Sequence, residues 1–93
     1  MITATVEILS QDAGTSIDPG DFNVELQRAS EAIGDAARVV RIGYQGGTRP
    51  RRLATGRVYV TAATEGKAEI ARQRVQAAML HHYPTDAIVR IKR

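Results

Sequence analysis

Apolar and polar residues alternate along the first ten positions of the chain. The apolar members of this alternation are Ile2, Ala4, Val6 and Ile8. A period of two is typical of a strand with one buried face. The same alternation recurs over residues 57–63 and 87–92, and residues 39–44 form a short β-branched segment. The pattern therefore predicts four strands.

Two other segments show the spacing of amphipathic helices. The first follows Asp18-Pro19, an N-cap residue and a proline at the first helical position, and Gly34 is a candidate stop. Its apolar stripe consists of Phe22, Leu26, Ala29, Ile33 and Ala36. The second is capped by Thr64 and runs to about residue 83, because Pro84 prevents its continuation. Its apolar face consists of Ala68, Ala71, Val75, Ala78, Met79 and His82.

The predicted order of elements is β-α-β-β-α-β, in a single domain over residues 1–93. Right-handed crossovers then give an α+β, ferredoxin-like sandwich with one antiparallel sheet of strand order 4-1-3-2. Both helices cover one face of this sheet. Because a chain of this length buries a small core, we expect it to gain stability by forming a homo-oligomer.

The composition indicates a folded protein, with 43% hydrophobic and 25% charged residues. No apolar run reaches the ~20 residues that cross a bilayer, and the first ten residues lack the pattern of a secretion signal. We therefore expect a cytoplasmic protein that does not bind membranes. The absence of cysteine excludes disulfides, zinc–thiolate sites, iron–sulfur clusters and cysteine nucleophiles.

Charge is distributed unevenly along the chain. Residues 1–35 carry seven acids and one base, residues 36–64 carry six arginines and no acid, and residues 65–93 carry six bases and three acids. These segments have charges of −6, +6 and +3, which give the net charge of +3. Either the acidic and basic segments neutralise each other in the folded chain, or the basic segment meets an anionic partner.

The phase of each strand assigns its residues to one of the two sheet faces. We expect the following residues to face the helices: Ile2, Ala4, Val6, Ile8, Val40, Ile42, Val58, Val60, Ala62, Ala87, Val89 and Ile91. The uncovered face is expected to carry Thr3, Thr5, Glu7, Val39, Arg41, Arg57, Tyr59, Thr61, Ile88, Arg90 and Lys92. Four bases, one acid and one aromatic residue would then share a surface. Such a surface can bind nucleic acid. It can instead form a homodimer interface, in which Val39, Tyr59 and Ile88 supply apolar contact and Glu7 pairs with an arginine across a two-fold axis.

Residues 55–62 resemble the central-strand signature of RNA-recognition motifs, which bind single strands on an open sheet. The segment agrees with that signature at Gly56, Tyr59 and Val60 and departs from it at Arg57 and Ala62. The resemblance implies that Tyr59 stacks on a base.

Residues 46–52 form a glycine-containing loop in which Arg49, Arg51 and Arg52 lie close together. The loop lacks the GxxxxGK[ST] pattern of nucleotide-binding loops. Arginines at a hairpin tip favour contact with a nucleic-acid backbone. The alternatives are a solvated loop, or a loop that docks on the acidic helix 21–35 of a neighbouring copy and so builds a ring or filament, as in viral or secretion structural proteins.

Catalytic and metal-binding patterns are not found in the sequence. His81 and His82 are the only histidines, and adjacent positions on a helix do not form the i, i+4 pair that zinc prefers. No serine has an evident base. We therefore expect no enzyme, no metal and no cofactor.

The leading hypothesis is a small non-enzymatic protein that binds DNA or RNA through the basic loop and the uncovered sheet face. The residues expected to contact nucleic acid are Arg41, Arg49, Arg51, Arg52, Arg57, Tyr59, Arg90 and Lys92. The alternative is a self-associating structural or adaptor protein, of the kind found in viral assemblies, whose partner is an acidic protein surface.

Overall fold

A computed structural model describes residues 1–10, 19–45, 55–82 and 87–93. Its elements, in chain order, are β1 (Ile2–Ser10), α1 (Pro19–Glu31), β2 (Arg38–Gln45), β3 (Thr55–Ala62), α2 (Glu65–His82) and β4 (Ala87–Lys92). The predicted α+β class, with a four-stranded antiparallel sheet and two helices, is confirmed.

The sheet has the strand order β2-β3-β1-β4, and every neighbouring pair is antiparallel. Read from the β4 edge, the order is β4-β1-β3-β2. Strands β1 and β3 lie at the centre and are matched from Ile2 opposite Ala62 to Leu9 opposite Thr55. Residues far apart in sequence therefore lie side by side on the sheet surface.

The hydrophobic core lies between the sheet and the two helices. Its largest fully buried side chains are Phe22, Ile8, Leu26, Ile33, Met79, Val6, Val58, Val60 and Val75. Helix α1 approaches β3 closely at Gly56, where an added Cβ would lie 2.8 and 2.9 Å from the two methyl carbons of Leu26 and 3.3 Å from Cε1 of Phe22. A side chain at this position would force the buried side chain of Leu26 to shift, so glycine suits the close approach of α1.

The first helix ends earlier than its apolar stripe. Regular α1 stops at Glu31, and four backbone hydrogen bonds that each span three residues follow over residues 29–36, where Gly34 has a φ of 58°. Ile33 and Ala36 are nevertheless buried in these turns. Arg74 on α2 donates a hydrogen bond of 2.8 Å to the carbonyl oxygen of Ile33. A carbonyl group beyond the end of α1 therefore finds its hydrogen-bond donor on the other helix.

The second helix begins where the sequence predicts. The hydroxyl oxygen Oγ1 of Thr64 accepts a hydrogen bond of 3.2 Å from the backbone N–H of Lys67, so the predicted cap is confirmed. His82 belongs to α2, but its side chain and residues 83–86 lie outside the described part of the chain. Within the described residues, neither helix has the length and apolar character needed to cross a membrane.

Strand β2 corrects the predicted phase of two valines. Val39 lies opposite Val60 and Arg41 lies opposite Tyr59, so β2 has one extra residue, Val40, between them. Val39 packs against the core, whereas Val40 is 61% exposed. The assignment of Val40 to the helix side and of Val39 to the uncovered face was therefore wrong. A bulge of this kind inserts a residue into one strand and reverses the alternation before it.

Candidate nucleic-acid interface

The sheet face opposite the helices, called here the open face, is arranged in rows of side chains across the strands. One row runs Arg41, Tyr59, Thr5 and Lys92 from β2 to β4, and the next runs Gly43, Arg57, Glu7 and Arg90. These rows are flanked by the pair Thr61 and Thr3 on one side and by Thr55, Leu9 and Ile88 on the other. The open face thus carries cations from β2, β3 and β4, whereas β1 supplies the acid.

The carboxylate of Glu7 is the shared partner of the cations around it on this face. Its side chain is 3% exposed, and its carboxylate contacts three cations. Arg90 donates to Oε1 from Nη2 at 2.6 Å and from Nε at 2.9 Å. Nε of Arg57 and Nζ of Lys92 both lie 3.4 Å from Oε2. One buried carboxylate therefore holds three long cationic side chains in place.

This arrangement leaves the cluster positively charged and accessible. The hydrogen bonds from Arg90, followed by those from Arg57 and the charge of Lys92, hold the pKa of Glu7 below its ordinary value although burial opposes the shift. The carboxylate is therefore ionised at neutral pH. The side chains of Arg57, Arg90 and Lys92 remain 43%, 51% and 56% exposed. Three positive charges against one negative charge leave +2 on the cluster.

The aromatic ring of Tyr59 is already engaged on one side. The guanidinium carbon of Arg41 lies 4.0 Å from the centroid of this ring, which is a cation–π contact. A base that stacked here would displace Arg41 or lie on the exposed guanidinium itself. On β2, Gly43 leaves room beside the ring, since an added Cβ would lie 3.7 Å from Cε2 of Tyr59.

Two shallow depressions adjoin Tyr59 on the open face. One, of about 260 Å³, is lined by Gly43, Tyr44, Gln45, Thr55, Arg57 and Tyr59. The other, of about 350 Å³, is lined by Thr3, Ala4, Thr5, Val40, Arg41, Tyr59, Val60, Thr61, Lys92 and Arg93. Hydroxyl groups and cations converge in the second depression.

The structure brings together five of the eight residues that the sequence singles out, and these are Arg41, Arg57, Tyr59, Arg90 and Lys92. The loop arginines Arg49, Arg51 and Arg52 lie outside the described residues. The strands that the loop joins end at Gln45 and begin again at Thr55, opposite each other on the sheet.

Sequence reasoning missed two features of this surface. Arg38 lies opposite Thr61 and is exposed, because the bulge in β2 brings it into the phase of Arg41. Glu7 was expected on this face, but its role as the shared partner of three cations was not. Only the pairing of β1 with both β3 and β4, which the alternating pattern does not encode, reveals that role. Gly56 of the predicted central-strand signature, by contrast, serves the packing of α1.

The described residues contain no group of three or more histidine, cysteine, aspartate or glutamate side chains placed to hold a metal ion. His81 is exposed on α2. The cations of the open face favour binding of anions through hydrogen bonds and charge.

Solved structures similar to this chain include two designed proteins and a mutant of an oxygenase. Foldit4, a de novo designed protein, matches with a TM-score of 0.60 at 8% identity, over 98% of this chain and 94% of that chain. A mutant of SnoaB, a cofactor-independent oxygenase from Streptomyces nogalater, matches with a TM-score of 0.60 at 9% identity, over 98% and 90% of the two chains. The de novo designed Ferredog-Diesel matches with a TM-score of 0.51 at 12% identity, over 99% and 85%. No protein-family model and no curated protein matches the chain. At these identities the similarity describes the fold alone: a four-stranded antiparallel sheet with two helices.

Proposed function

We propose that this is a non-enzymatic nucleic-acid-binding protein of the cytoplasm, with a ferredoxin-like topology, that uses the open face as its binding surface. One observation carries the proposal. Three half-exposed cations, Arg57, Arg90 and Lys92, are fixed on the buried carboxylate of Glu7. Side chains that are already ordered lose less conformational entropy when they bind a phosphate.

The surrounding charges support the same proposal. Arg41 and Arg38 extend the array along β2, and both side chains are exposed. With the three cations on Glu7, the open face carries five positive charges and one negative charge. Arginine binds phosphate oxygens in a bidentate manner, and contacts of this kind supply most of the affinity of sequence-independent binding. Arg49, Arg51 and Arg52, which lie outside the described residues, are proposed as further phosphate contacts.

Fluorescence anisotropy with labelled single-stranded DNA, single-stranded RNA and duplex DNA tests the proposal. We expect binding at low salt that weakens as salt rises, with log K falling by about 0.7–0.9 per decade of salt for each neutralised phosphate. The double variant Arg38→Gln/Arg41→Gln should reduce that slope by about 1–2. It removes two charges from the open face and leaves the partners of Glu7 intact.

The matched control is Arg28→Gln/Lys67→Gln, which removes two exposed charges from the helices. This control should retain the wild-type slope. Absence of wild-type binding at low salt would refute the proposal. An equal loss of slope in both double variants would show that net charge, and not the open face, governs binding.

Self-association through the same face is the second candidate function. Val40 is 61% exposed beside the Tyr59 depression, and Ile88 on β4 is 44% exposed. Apolar side chains of this size at both edges of a sheet can seat a second copy or an acidic partner. Light scattering distinguishes the candidates: a defined multimer that dissociates when Val40 is changed to Thr and ignores oligonucleotides would favour a structural or adaptor role.

A further inference from the structure

We propose that the larger depression beside Tyr59 is a seat for one phosphate group, with the hydroxyls of Thr3, Thr5 and Thr61 as hydrogen-bond donors. For a phosphate of a nucleic-acid backbone, the inference rests on the proposed function and locates where on the open face a phosphodiester binds. The same chemistry would also accept a free phosphate.

The register of the central strands places the hydroxyls together. Thr3 lies directly opposite Thr61, and Thr5 follows two residues along β1 on the same face. Side chains directly opposite each other in an antiparallel pair have Cβ atoms about 4.5–5.5 Å apart. Two hydroxyls at that separation can donate to two oxygens of a single phosphate. A threonine hydroxyl retains acceptor capacity as well, so it can bind a protonated phosphate oxygen.

Positive charge surrounds these hydroxyls on several sides. Arg41 lines the depression from β2 and Lys92 lines it from β4, whereas Arg93, which also lines it, forms an ion pair of 2.8 Å with Glu65. Of the residues that the structure describes, none lining this depression is acidic. Glu7 lies in the adjacent row and contacts Nζ of Lys92, which keeps that cation near the depression. The positive charges attract the anion, and the threonine hydroxyls fix its orientation through hydrogen bonds.

The depression is large enough to hold one such group with its water shell. Its volume is about 350 Å³, whereas one water molecule occupies about 30 Å³ in the liquid. The smaller depression on the other side of Tyr59 has one threonine, Thr55, and one cation, Arg57. Thr55 therefore provides a matched control: its hydroxyl lies on the same face of β3, outside the proposed seat.

The first test compares Thr3→Val/Thr61→Val with Thr55→Val in the anisotropy assay. Valine keeps the β-branched shape, and no charge changes. We expect the double variant to bind oligonucleotides roughly tenfold or more weakly, because each lost hydrogen bond costs about three- to tenfold in affinity. The dependence on salt should be unchanged, and Thr55→Val should stay within about twofold of wild type. If the double variant binds as tightly as wild type, the seat is refuted, while the proposed function stands.

The second test is independent of oligonucleotide binding and uses the wild-type chain. Inorganic phosphate is titrated into ¹⁵N-labelled protein and compared with chloride at the same ionic strength. We expect amide shifts at Thr3, Thr5 and Thr61 that saturate with phosphate and are absent with chloride. If oligonucleotides do not bind and these shifts occur, the proposed function fails and the seat serves free phosphate. If the shifts are spread over all exposed cations, or match those with chloride, the seat is refuted.

Discussion

Replacing Glu7 by glutamine should destabilise the fold, because it removes the one negative charge that holds the cations of the open face. Glutamine keeps the shape and one oxygen of the carboxylate, but it places an N–H₂ donor where a second oxygen accepted hydrogen bonds. Arg57, Arg90 and Lys92 would then repel each other around a neutral group.

The geometry of the cluster limits how far Glu7→Gln can lower the free energy of unfolding. A hydrogen bond to a charged group contributes about 1.5–3 kcal/mol, and Arg90 makes two short ones to Glu7. Breaking a fully buried ion pair costs about 3–5 kcal/mol. The three cations are 43–56% exposed and regain water when the carboxylate is lost. We therefore expect the free energy of unfolding to fall by about 2 kcal/mol, which corresponds to a Tm roughly 8–16 °C lower for a domain of this size.

The loss of stability caused by Glu7→Gln should shrink as the pH falls. The pKa of Glu7 is lower in the folded chain than in the unfolded chain, first because of its hydrogen bonds from Arg90. The folded state therefore binds fewer protons, and the stabilisation is fully present above about pH 5. It is lost as the pH falls through the folded-state pKa of Glu7, which lies below the ordinary value for a glutamate. Urea unfolding of wild type and Glu7→Gln, followed by circular dichroism from pH 7 to 3, measures the difference.

The control is Glu31→Gln, which removes an exposed carboxylate at the end of α1. Its free energy of unfolding should lie within about 0.5 kcal/mol of wild type. The reasoning is refuted if Glu7→Gln also lies within about 0.5 kcal/mol of wild type at pH 7. It is also refuted if the difference does not shrink toward pH 3.

Two further substitutions, each with a matched control, test the packing of α1 and the cap of α2. Gly56→Ala should lower the free energy of unfolding by about 1–3 kcal/mol, because the new Cβ would lie within 3 Å of two carbons of Leu26. Gly43→Ala, where the nearest atom is 3.7 Å away, should cost less than about 0.5 kcal/mol in the same urea titration; equal losses would contradict the packing argument. Thr64→Ala should cost about 1 kcal/mol through loss of the cap on α2, and Thr64→Ser should restore most of it. A serine variant as unstable as the alanine variant would assign the effect to another property of Thr64.

The sequence predicts the elements of this fold well and fails at one strand for a clear physical reason. In β1, β3 and β4, apolar positions mostly alternate with polar ones, so the pattern shows which residues face the core. In β2, Val39 and Val40 are both apolar, and the pattern fits either of them in the core. Alternation counted back from Ile42 places Val40 on the helix side, but the bulge lies between Val39 and Arg41. An extra residue in a strand leaves no trace in a run of similar side chains.

That one residue also changes the candidate site. Without the bulge, Arg38 would belong to the phase of the core; with it, Arg38 lies opposite Thr61 on the open face. The positions of Arg57, Tyr59, Arg90 and Lys92 followed from alternation alone, because β3 and β4 are regular. Alternation does not predict their contacts with Glu7. Arg57 and Arg90 are 50 and 83 residues from Glu7 in the sequence, and only the order of the strands in the sheet brings them together.

The uneven charge along the sequence takes a different meaning in the folded chain. Glu7 belongs to the acidic first segment, Arg57 to the basic middle and Arg90 to the end, and all three meet across β1. This acid neutralises only part of the charge around it, because three cations share one carboxylate. Full neutralisation would require further acids on the open face. Among the described strand residues, Glu7 is the only acid on that face. The remaining charge is thus concentrated on the exposed open face, where Glu7 holds three of the cations, and this is the property on which the proposed binding of an anionic partner depends.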